Sequence, residues 1–133
     1  MKIMKKLTTL IFAGLLGSAL ISCTSVPSIP GNASSTQLIQ LGQDALEMNN
    51  YTAAETYYNA VIQRYGMDTS KYIEARYELG HMYSKKKDYE NAYKNYSEIL
   101  EIFENAEFGS LPQAYKKLAQ MGINNLPEKY KNQ

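Results

Sequence analysis

The side chains most often used for catalysis and metal binding are scarce in this sequence of 133 residues. It contains one cysteine, Cys23, and one histidine, His81. With a single histidine, the sequence offers little material for a Ser-His-Asp catalytic triad. It also has no glycine-rich phosphate-binding loop and no HExxH, CxxC or EF-hand spacing. Paired acids such as Glu98 and Glu101 recur at helical spacing on a face that we expect to be exposed. The sequence therefore predicts no enzyme activity, no metal site and no cofactor.

Cys23 follows a segment with the pattern of an export signal. Three lysines within the first six residues lead into Leu7–Ile21, a stretch of fifteen residues without a charge. A membrane-spanning helix needs roughly 20 apolar residues, so this stretch is too short for a stable span and matches a secretory signal. Where this stretch ends, residues 20–23 read Leu-Ile-Ser-Cys. This sequence resembles the lipobox of bacterial lipoproteins, which has a branched apolar residue, a small residue and then cysteine.

In the lipoprotein family the peptide is cut before the cysteine, whose sulfur carries a diacylglycerol and whose new amino group is usually acylated. The resemblance therefore implies a signal peptide at 1–22 and a covalent lipid with fatty acyl chains, such as palmitate, on Cys23. Two or more such chains anchor a protein durably, because each buried CH₂ contributes roughly 0.8 kcal/mol. The alternatives are an ordinary signal peptide that leaves a free thiol, and an uncleaved anchor.

Residues 24–35, TSVPSIPGNASS, carry no charge and are rich in serine, threonine and proline. This composition predicts a flexible linker that follows the lipidated cysteine over residues 23–35. Thr24 differs from the aspartate that retains lipoproteins in the inner membrane of enteric bacteria. The resemblance to that sorting rule implies the periplasmic side of the outer membrane, with the inner membrane as the alternative.

The charge balance excludes one large class of partner. The formal net charge of the whole chain is +1. Removal of residues 1–22 takes away three lysines and no acid, which leaves 11 basic and 13 acidic side chains, a net charge of −2. A chain without excess positive charge lacks the electrostatic surface of a nucleic-acid-binding protein.

The remaining sequence repeats itself at a distance of 38 residues. Within the window 41–65, five residues are identical to those found 38 positions later, namely Leu41, Gly42, Tyr51, Ala54 and Tyr58. A partial third copy begins at Ala114. Periods of roughly 20–50 residues indicate stacked supersecondary units.

Apolar residues within each copy recur with helical periodicity, and no segment alternates with a period of two. The pattern predicts α-helices at 36–48, 52–65, 71–86, 89–105 and 111–122. Capping boxes are predicted at the pairs Ser34/Gln37, Thr52/Glu55 and Ser110/Gln113, with further N-caps at Asn50 and Asp88.

This pattern resembles the tetratricopeptide repeat (TPR), in which small residues let two antiparallel helices cross closely. The signature residues are Leu41, Gly42, Ala45, Tyr51, Ala54 and Tyr58 in the first copy and Leu79, Gly80, Tyr83, Tyr89, Ala92 and Tyr96 in the second. The tryptophan usual in the first helix is absent, and the period of 38 is longer than the usual value of about 34.

The longer period looks like that of envelope TPR proteins, such as the lipoprotein subunit of the β-barrel assembly machinery (BamD-like) and the Tol-associated periplasmic TPR protein. The resemblance implies an all-α fold, a short TPR-like solenoid of antiparallel helix pairs with about 2.5 repeats. We expect it to occupy residues 36–123, followed by a polar C-terminal tail at 124–133.

In TPR stacks the first helix of each repeat lines a concave groove. The resemblance places eight residues of this sequence there, namely Ile39, Gln43, Glu47, Tyr77, His81, Lys85, Lys116 and Gln120. A mostly polar stripe of this kind suits an extended peptide held by side-chain hydrogen bonds. The alternatives are a solvated face and a contact with a second copy of the chain.

Lys85, Lys86 and Lys87 end the third predicted helix, where the helix dipole favours cations. A solvated helix end is one interpretation of these lysines, and contact with anionic lipid or peptidoglycan is the other.

Together these patterns predict a lipid-anchored adaptor or scaffold that binds an envelope protein or peptide segment, for instance in outer-membrane assembly or envelope maintenance. The alternative is a structural lipoprotein that associates with itself, because a short repeat stack leaves apolar end faces.

Overall fold

A computed structural model describes residues 26–131. They form five α-helices, α1 (Ser35–Glu47), α2 (Tyr51–Tyr65), α3 (Thr69–Lys86), α4 (Tyr89–Asn105) and α5 (Gln113–Asn124), and a 3-10 turn at Glu128–Tyr130. Within the described range there is no β-strand, and each helix begins and ends within two residues of its predicted bounds. The prediction of an all-α fold is confirmed. The predicted signal peptide at 1–22 and the predicted lipidation site at Cys23 lie outside the described residues.

The helices form a short TPR-like solenoid. Consecutive helices pack antiparallel, as the pairs α1/α2 and α3/α4 with α2 against α3 between them. Helix α5 packs on α4 and also contacts α3, while α1 contacts α3. The odd-numbered helices therefore form the inner layer and the even-numbered helices the outer layer.

Glycine–tyrosine contacts set the close crossing of the helices in each pair. A Cβ atom on Gly42 would lie 2.3 Å from Cε1 of Tyr58, and one on Gly80 would lie 2.6 Å from Cε1 of Tyr96. Tyr96 also contacts α5, where a Cβ atom on Gly122 would lie 2.5 Å from its Cζ. Both tyrosine side chains are buried. Two of the residues that repeat after 38 positions, the glycine and the second tyrosine, therefore bring the helix backbones together.

The turns inside the two helix pairs share one geometry. Asn49 and Lys87 adopt left-handed backbone conformations, with φ of 57° and 66°. The next residue in each turn donates its N–H to the carbonyl five residues earlier, at 2.8 Å for Asn50 and 2.9 Å for Asp88. These bonds define a Schellman motif at the end of α1 and again at the end of α3.

The same Asn50 and Asp88 begin the next helices, as predicted. Their side chains accept hydrogen bonds from backbone N–H groups in the first turns of α2 and α4. At α1, Ser34 and Gln37 form the predicted capping box, with Ser34 N donating to Gln37 Oε1 at 2.8 Å. Three of the predicted caps are therefore confirmed.

The capping boxes predicted at Thr52/Glu55 and Ser110/Gln113 are wrong. Helix α2 begins one residue before Thr52, which therefore lies inside the first turn rather than ahead of it. Pro112 occupies the cap position of α5 and offers no side-chain hydrogen bond. Ser110 instead donates its hydroxyl to a carbonyl of the preceding loop at 2.7 Å.

The chain before α1 packs on the first helix pair. Tyr65 donates its hydroxyl to the carbonyl of Ala33 at 2.7 Å, and Arg64 donates to the carbonyl of Pro30 at 2.7 Å. Ala33 is 5% exposed, and Ile29 packs against the hydrophobic cluster of α1 and α2. The prediction of a flexible linker up to residue 35 is therefore corrected, because residues 29–35 belong to the folded domain.

The chain after α5 also differs from the predicted polar tail. Leu126 is 4% exposed and belongs to the hydrophobic cluster of α4 and α5. The ring of Tyr130 lies 5.4 Å from that of Tyr89 at the start of α4. The folded domain therefore extends to residue 130, because these two side chains cover the outer helix.

Candidate binding groove

Side chains of the inner helices α1 and α3 surround a cavity of about 370 Å³, which we call the groove. Its lining is polar on most sides and includes one aromatic ring; the residues are Gln40, Gln43, Leu46, Glu47, Tyr77, Glu78, His81 and Lys85. Helical spacing explains their convergence, because residues three or four apart share one face of a helix.

Glu78 lies at the floor of the groove with 9% of its surface exposed. Its carboxylate accepts a hydrogen bond from Nε2 of Gln43 at 2.9 Å, and the hydroxyl of Tyr58 lies 3.5 Å from its other oxygen. Burial raises the pKa of the Glu78 carboxyl above its usual value, while the hydrogen bond from Gln43 opposes that shift. Burial and the neighbouring carboxylate raise the pKa of Tyr58 as well.

Lys85 closes one end of the groove. Its ammonium donates a hydrogen bond to the carbonyl of Leu46, in the last turn of α1, at 3.2 Å. The same carbonyl accepts the N–H of Asn49 at 3.0 Å, and a cation at this position interacts favourably with the helix dipole. Lys85 thereby ties α3 to the end of α1, and its ammonium remains on the surface of the groove.

Tyr77 connects the groove to α5. Its ring lies 5.7 Å from that of Tyr115, in an edge-on arrangement, and 6.1 Å from that of Tyr96. On its other side it stacks near the exposed imidazole of His81, with 6.4 Å between ring centres. Burial raises the pKa of Tyr77, and burial with nearby carboxylates raises that of Tyr115 to about 12. Both phenols are therefore neutral hydrogen-bonding groups near pH 7.

Five of the eight residues that the sequence placed in the groove line it: Gln43, Glu47, Tyr77, His81 and Lys85. The other three do not. Ile39 is 6% exposed and packs in the core of the first helix pair. Lys116 and Gln120 are exposed on α5, outside this cavity. The residue that α5 turns toward Tyr77 is Tyr115, one position before Lys116.

Glu78 and Tyr115 were missed by the sequence analysis. A charged residue is expected at the surface, so Glu78 was not predicted to lie in the groove. One signal was present, because Glu78 falls on the helical stripe of the buried residues Ala75 and Met82. A carboxylate at an apolar position of such a stripe indicates a buried polar contact.

A larger cavity of about 680 Å³ lies at the loop between α4 and α5, with Glu98 and Glu101 in its lining. Glu98 forms an ion pair with Arg76 at 3.3 Å and accepts a hydrogen bond from the hydroxyl of Tyr72. Arg76 also donates to Asn95 at 3.2 Å, which links α3 to α4. The carboxylate of Glu98 therefore stabilises the packing of the second helix pair. The prediction of an exposed face is wrong for Glu98, whereas Glu101 is exposed.

None of the helices within 26–131 is long and apolar enough to span a bilayer. Across the same part of the chain, no three histidine, cysteine, aspartate or glutamate side chains group in a way that could hold a metal ion.

Comparison with known proteins shows similarity to a bacterial protein. The chain is 31% identical over 110 residues to an uncharacterized protein of Treponema pallidum (strain Nichols). The match covers 80% of this chain and 44% of that protein, so the chain spans less than half the length of its relative. No family model matches the sequence, and no solved structure matches it.

Proposed function

We propose that this chain is a TPR-like lipoprotein of the bacterial cell envelope that acts as a protein-binding adaptor. The observation that carries the proposal is the groove, where side chains of α1 and α3 meet around one open cavity of about 370 Å³. The lipobox resemblance at Cys23 supports a membrane anchor, and Thr24 favours the periplasmic side of the outer membrane.

The chemistry of the groove suits an extended segment of another envelope protein. Gln43 and His81 offer both hydrogen-bond donors and acceptors, and Glu47 offers a carboxylate. Backbone amides and polar side chains of a ligand can therefore form hydrogen bonds in the groove. Tyr77 supplies the aromatic surface that most often dominates binding energy at an interface. Its contacts with α5 hold the ring in place before a partner arrives, which lowers the entropy cost of binding.

Crosslinking of the full-length protein in bacterial membranes, followed by affinity purification, tests this proposal. We expect capture of a distinct envelope protein, and we expect the pair His81→Ala and Lys85→Ala to reduce capture by roughly tenfold, the effect of losing about 1.4 kcal/mol. Tyr77→Ala should reduce it further. The matched control is Lys116→Ala with Lys117→Ala, two exposed lysines of α5 outside the groove. Capture that is unchanged in all groove variants, with helicity intact, would contradict the proposal.

The anchor needs its own variant. Cys23→Ala should release the protein from membranes, because the acyl chains have no other attachment site in a chain with a single cysteine. Continued membrane association of that variant would contradict the lipoprotein assignment.

Self-association is the second candidate function. Met121 is 48% exposed on α5, the last helix of the stack, and Leu118 on the same helix is half-buried. This apolar surface is the one that a second copy of the chain would cover. Analytical ultracentrifugation distinguishes the two functions: a monomer at all concentrations excludes the self-associating protein, whereas a dimer that Met121→Glu dissociates supports it.

A further inference from the structure

The chain before α1 crosses the first helix pair from one edge of the domain to the other. We call the edge with the α1–α2 and α3–α4 turns, residues 48–50 and 87–88, the turn edge. The opposite edge, with the connections at 66–68 and 106–112, is the loop edge. Ala33 and Pro30 are hydrogen-bonded to the C-terminal end of α2, near the loop edge. Pro27 instead lines a cavity with Met48 and Asn50 of the α1–α2 turn. Followed back from α1 to Pro27, the chain therefore runs to the turn edge.

Chain length limits how far Cys23 can lie from this edge. Pro27 comes four positions after Cys23, and an extended chain covers at most about 3.6 Å per position, or roughly 14 Å in all. Helix α3, with 18 residues, runs from the loop edge to the turn edge. Its length is about 27 Å at 1.5 Å per residue. The short connection to Pro27 holds any lipid on Cys23 close to the turn edge.

The turn edge has the chemistry of a surface that contacts anionic lipid. Lys85, Lys86 and Lys87 are all exposed there. Among residues 26–131, neither Lys86 nor Lys87 has a carboxylate within ion-pair distance, so their charges are available. Met48, which is 74% exposed in the α1–α2 turn of the same edge, adds an apolar side chain that can enter the lipid interface. The carboxylates on this edge are Asp44, Glu47, Asp88, Glu90 and Glu128; Asp44 accepts a hydrogen bond from Gln40, Asp88 caps α4, and Glu128 is paired with Lys131.

The loop edge has the opposite charge. Four acidic residues lie exposed there, namely Asp68, Glu101, Glu104 and Glu107. Of the cations nearby, Arg64 binds the carbonyl of Pro30 and Lys71 pairs with Glu74, whereas Lys116 and Lys117 lie exposed in the first turn of α5. Unpaired lysines cluster at the turn edge, and acids outnumber the cations that lack an acidic partner at the loop edge, so an anionic membrane surface favours the turn edge.

We propose that the turn edge lies on an anionic phospholipid surface, with Lys86 and Lys87 against the phosphates and Met48 at the interface. The acidic loop edge then points away from the bilayer. This orientation rests on the lipid anchor at Cys23 that is part of the proposed function. Its source of negative charge is the phospholipid headgroup.

Fluorescence energy transfer to labelled headgroups tests the orientation. The protein is expressed as the full chain in a bacterium that attaches the lipid, purified, and placed in vesicles of phosphatidylcholine with or without phosphatidylglycerol. A single new cysteine carries the donor, either Met48→Cys on the turn edge or Met67→Cys on the loop edge, two exposed methionines. We expect stronger transfer from position 48, a larger difference with phosphatidylglycerol, and a smaller difference at high salt.

Charge reversal separates lipid recognition from the geometry of the anchor. Lys86→Glu with Lys87→Glu should lower transfer from position 48, whereas the control Lys116→Glu with Lys117→Glu makes the same charge change on α5 and should leave it unaltered. Equal transfer from both positions, or an equal loss in both charge variants, overturns the proposed orientation while the anchor stands. A mass spectrum without acyl chains on Cys23 overturns the anchor, and the orientation falls with it.

Discussion

Gln43 on α1 donates a hydrogen bond from Nε2 to Oε1 of Glu78 on α3, at 2.9 Å, and so joins the inner helices at the floor of the groove. The partners of this carboxylate, an amide and the hydroxyl of Tyr58, are neutral. They satisfy its hydrogen bonds but do not compensate its charge, and burial therefore raises its pKa. The folded protein therefore favours the protonated form of this carboxyl group more than the unfolded protein does.

This contact predicts a pH dependence of stability. The pKa of Glu78 is higher in the folded than in the unfolded protein, so the folded state binds more protons between the two values. Its contribution to the free energy of unfolding is therefore most favourable below the ordinary glutamate pKa. It is lost as the pH rises through the raised value. Glu78→Gln should remove this loss and increase stability at pH 7, measured by urea unfolding across a pH series.

The control for this experiment is Glu47→Gln, which neutralises an exposed carboxylate lining the same groove. We expect it to change stability by no more than about 0.5 kcal/mol at neutral pH. If Glu78→Gln and Glu47→Gln gave the same pH profile, the special environment of Glu78 would be refuted.

The contact between Gly42 and Tyr58 predicts a strong effect of a single methyl group. A Cβ atom there would lie 2.3 Å from the tyrosine ring, which is fully buried and cannot move away. Gly42→Ala should lower the free energy of unfolding by about 1–3 kcal/mol, as measured by denaturant titration. Gly31→Ala is the matched control, because nothing lies within 4 Å of its Cβ position. A comparable loss in both variants would disprove the role of the close crossing.

The position of the α2 cap leads to a third prediction. Asn50 accepts a hydrogen bond from the N–H of Ala53 at 3.1 Å, whereas Thr52 lies inside the helix. Asn50→Ala should therefore destabilise the protein by about 1 kcal/mol. Thr52→Ala should have an effect within about 0.5 kcal/mol. Thermal unfolding of both variants measures the two losses of stability. A larger loss for Thr52→Ala would support the capping box predicted at Thr52 and Glu55.

The end of the chain gives a fourth prediction. Leu126 is 4% exposed in the cluster of α4 and α5, so Leu126→Ala should cost about 2–5 kcal/mol. Met121→Ala removes a side chain of similar size that is 48% exposed and should cost much less. Urea unfolding of the two variants compares them directly. A negligible loss of stability in Leu126→Ala would instead support the prediction that residues 124–133 form a polar tail.

The helices were predictable because their signals are local. Apolar periodicity and caps such as Asn50 and Asp88 operate over a few residues, and helix bounds followed within two positions. The docking of Pro30 and Leu126 was not predictable, because these contacts join segments far apart in the chain. Short polar stretches rich in proline and asparagine have the composition of a linker or tail whether or not a neighbouring helix covers them.

The groove was predictable in part for the same reason. The repeat spacing located Tyr77, His81 and Lys85 on α3, since their spacing from Leu79 and Gly80 is fixed by the helix. It failed at Ile39, which faces the core, and on α5, where the third copy is too incomplete to set the register. A stripe counted along one helix does not show how far that helix rotates against its neighbours.

The twin turns at Asn49 and Lys87 have a consequence for how such a domain changes in length. Asn50 and Asp88 each end one helix and begin the next with the same hydrogen bonds, so the turn sets the same local geometry at each occurrence. The 38-residue segment that starts at one of these residues is therefore a module. Duplicating that module would add a helix pair and lengthen the groove without a new kind of turn. The length of the binding surface would then increase with the number of modules.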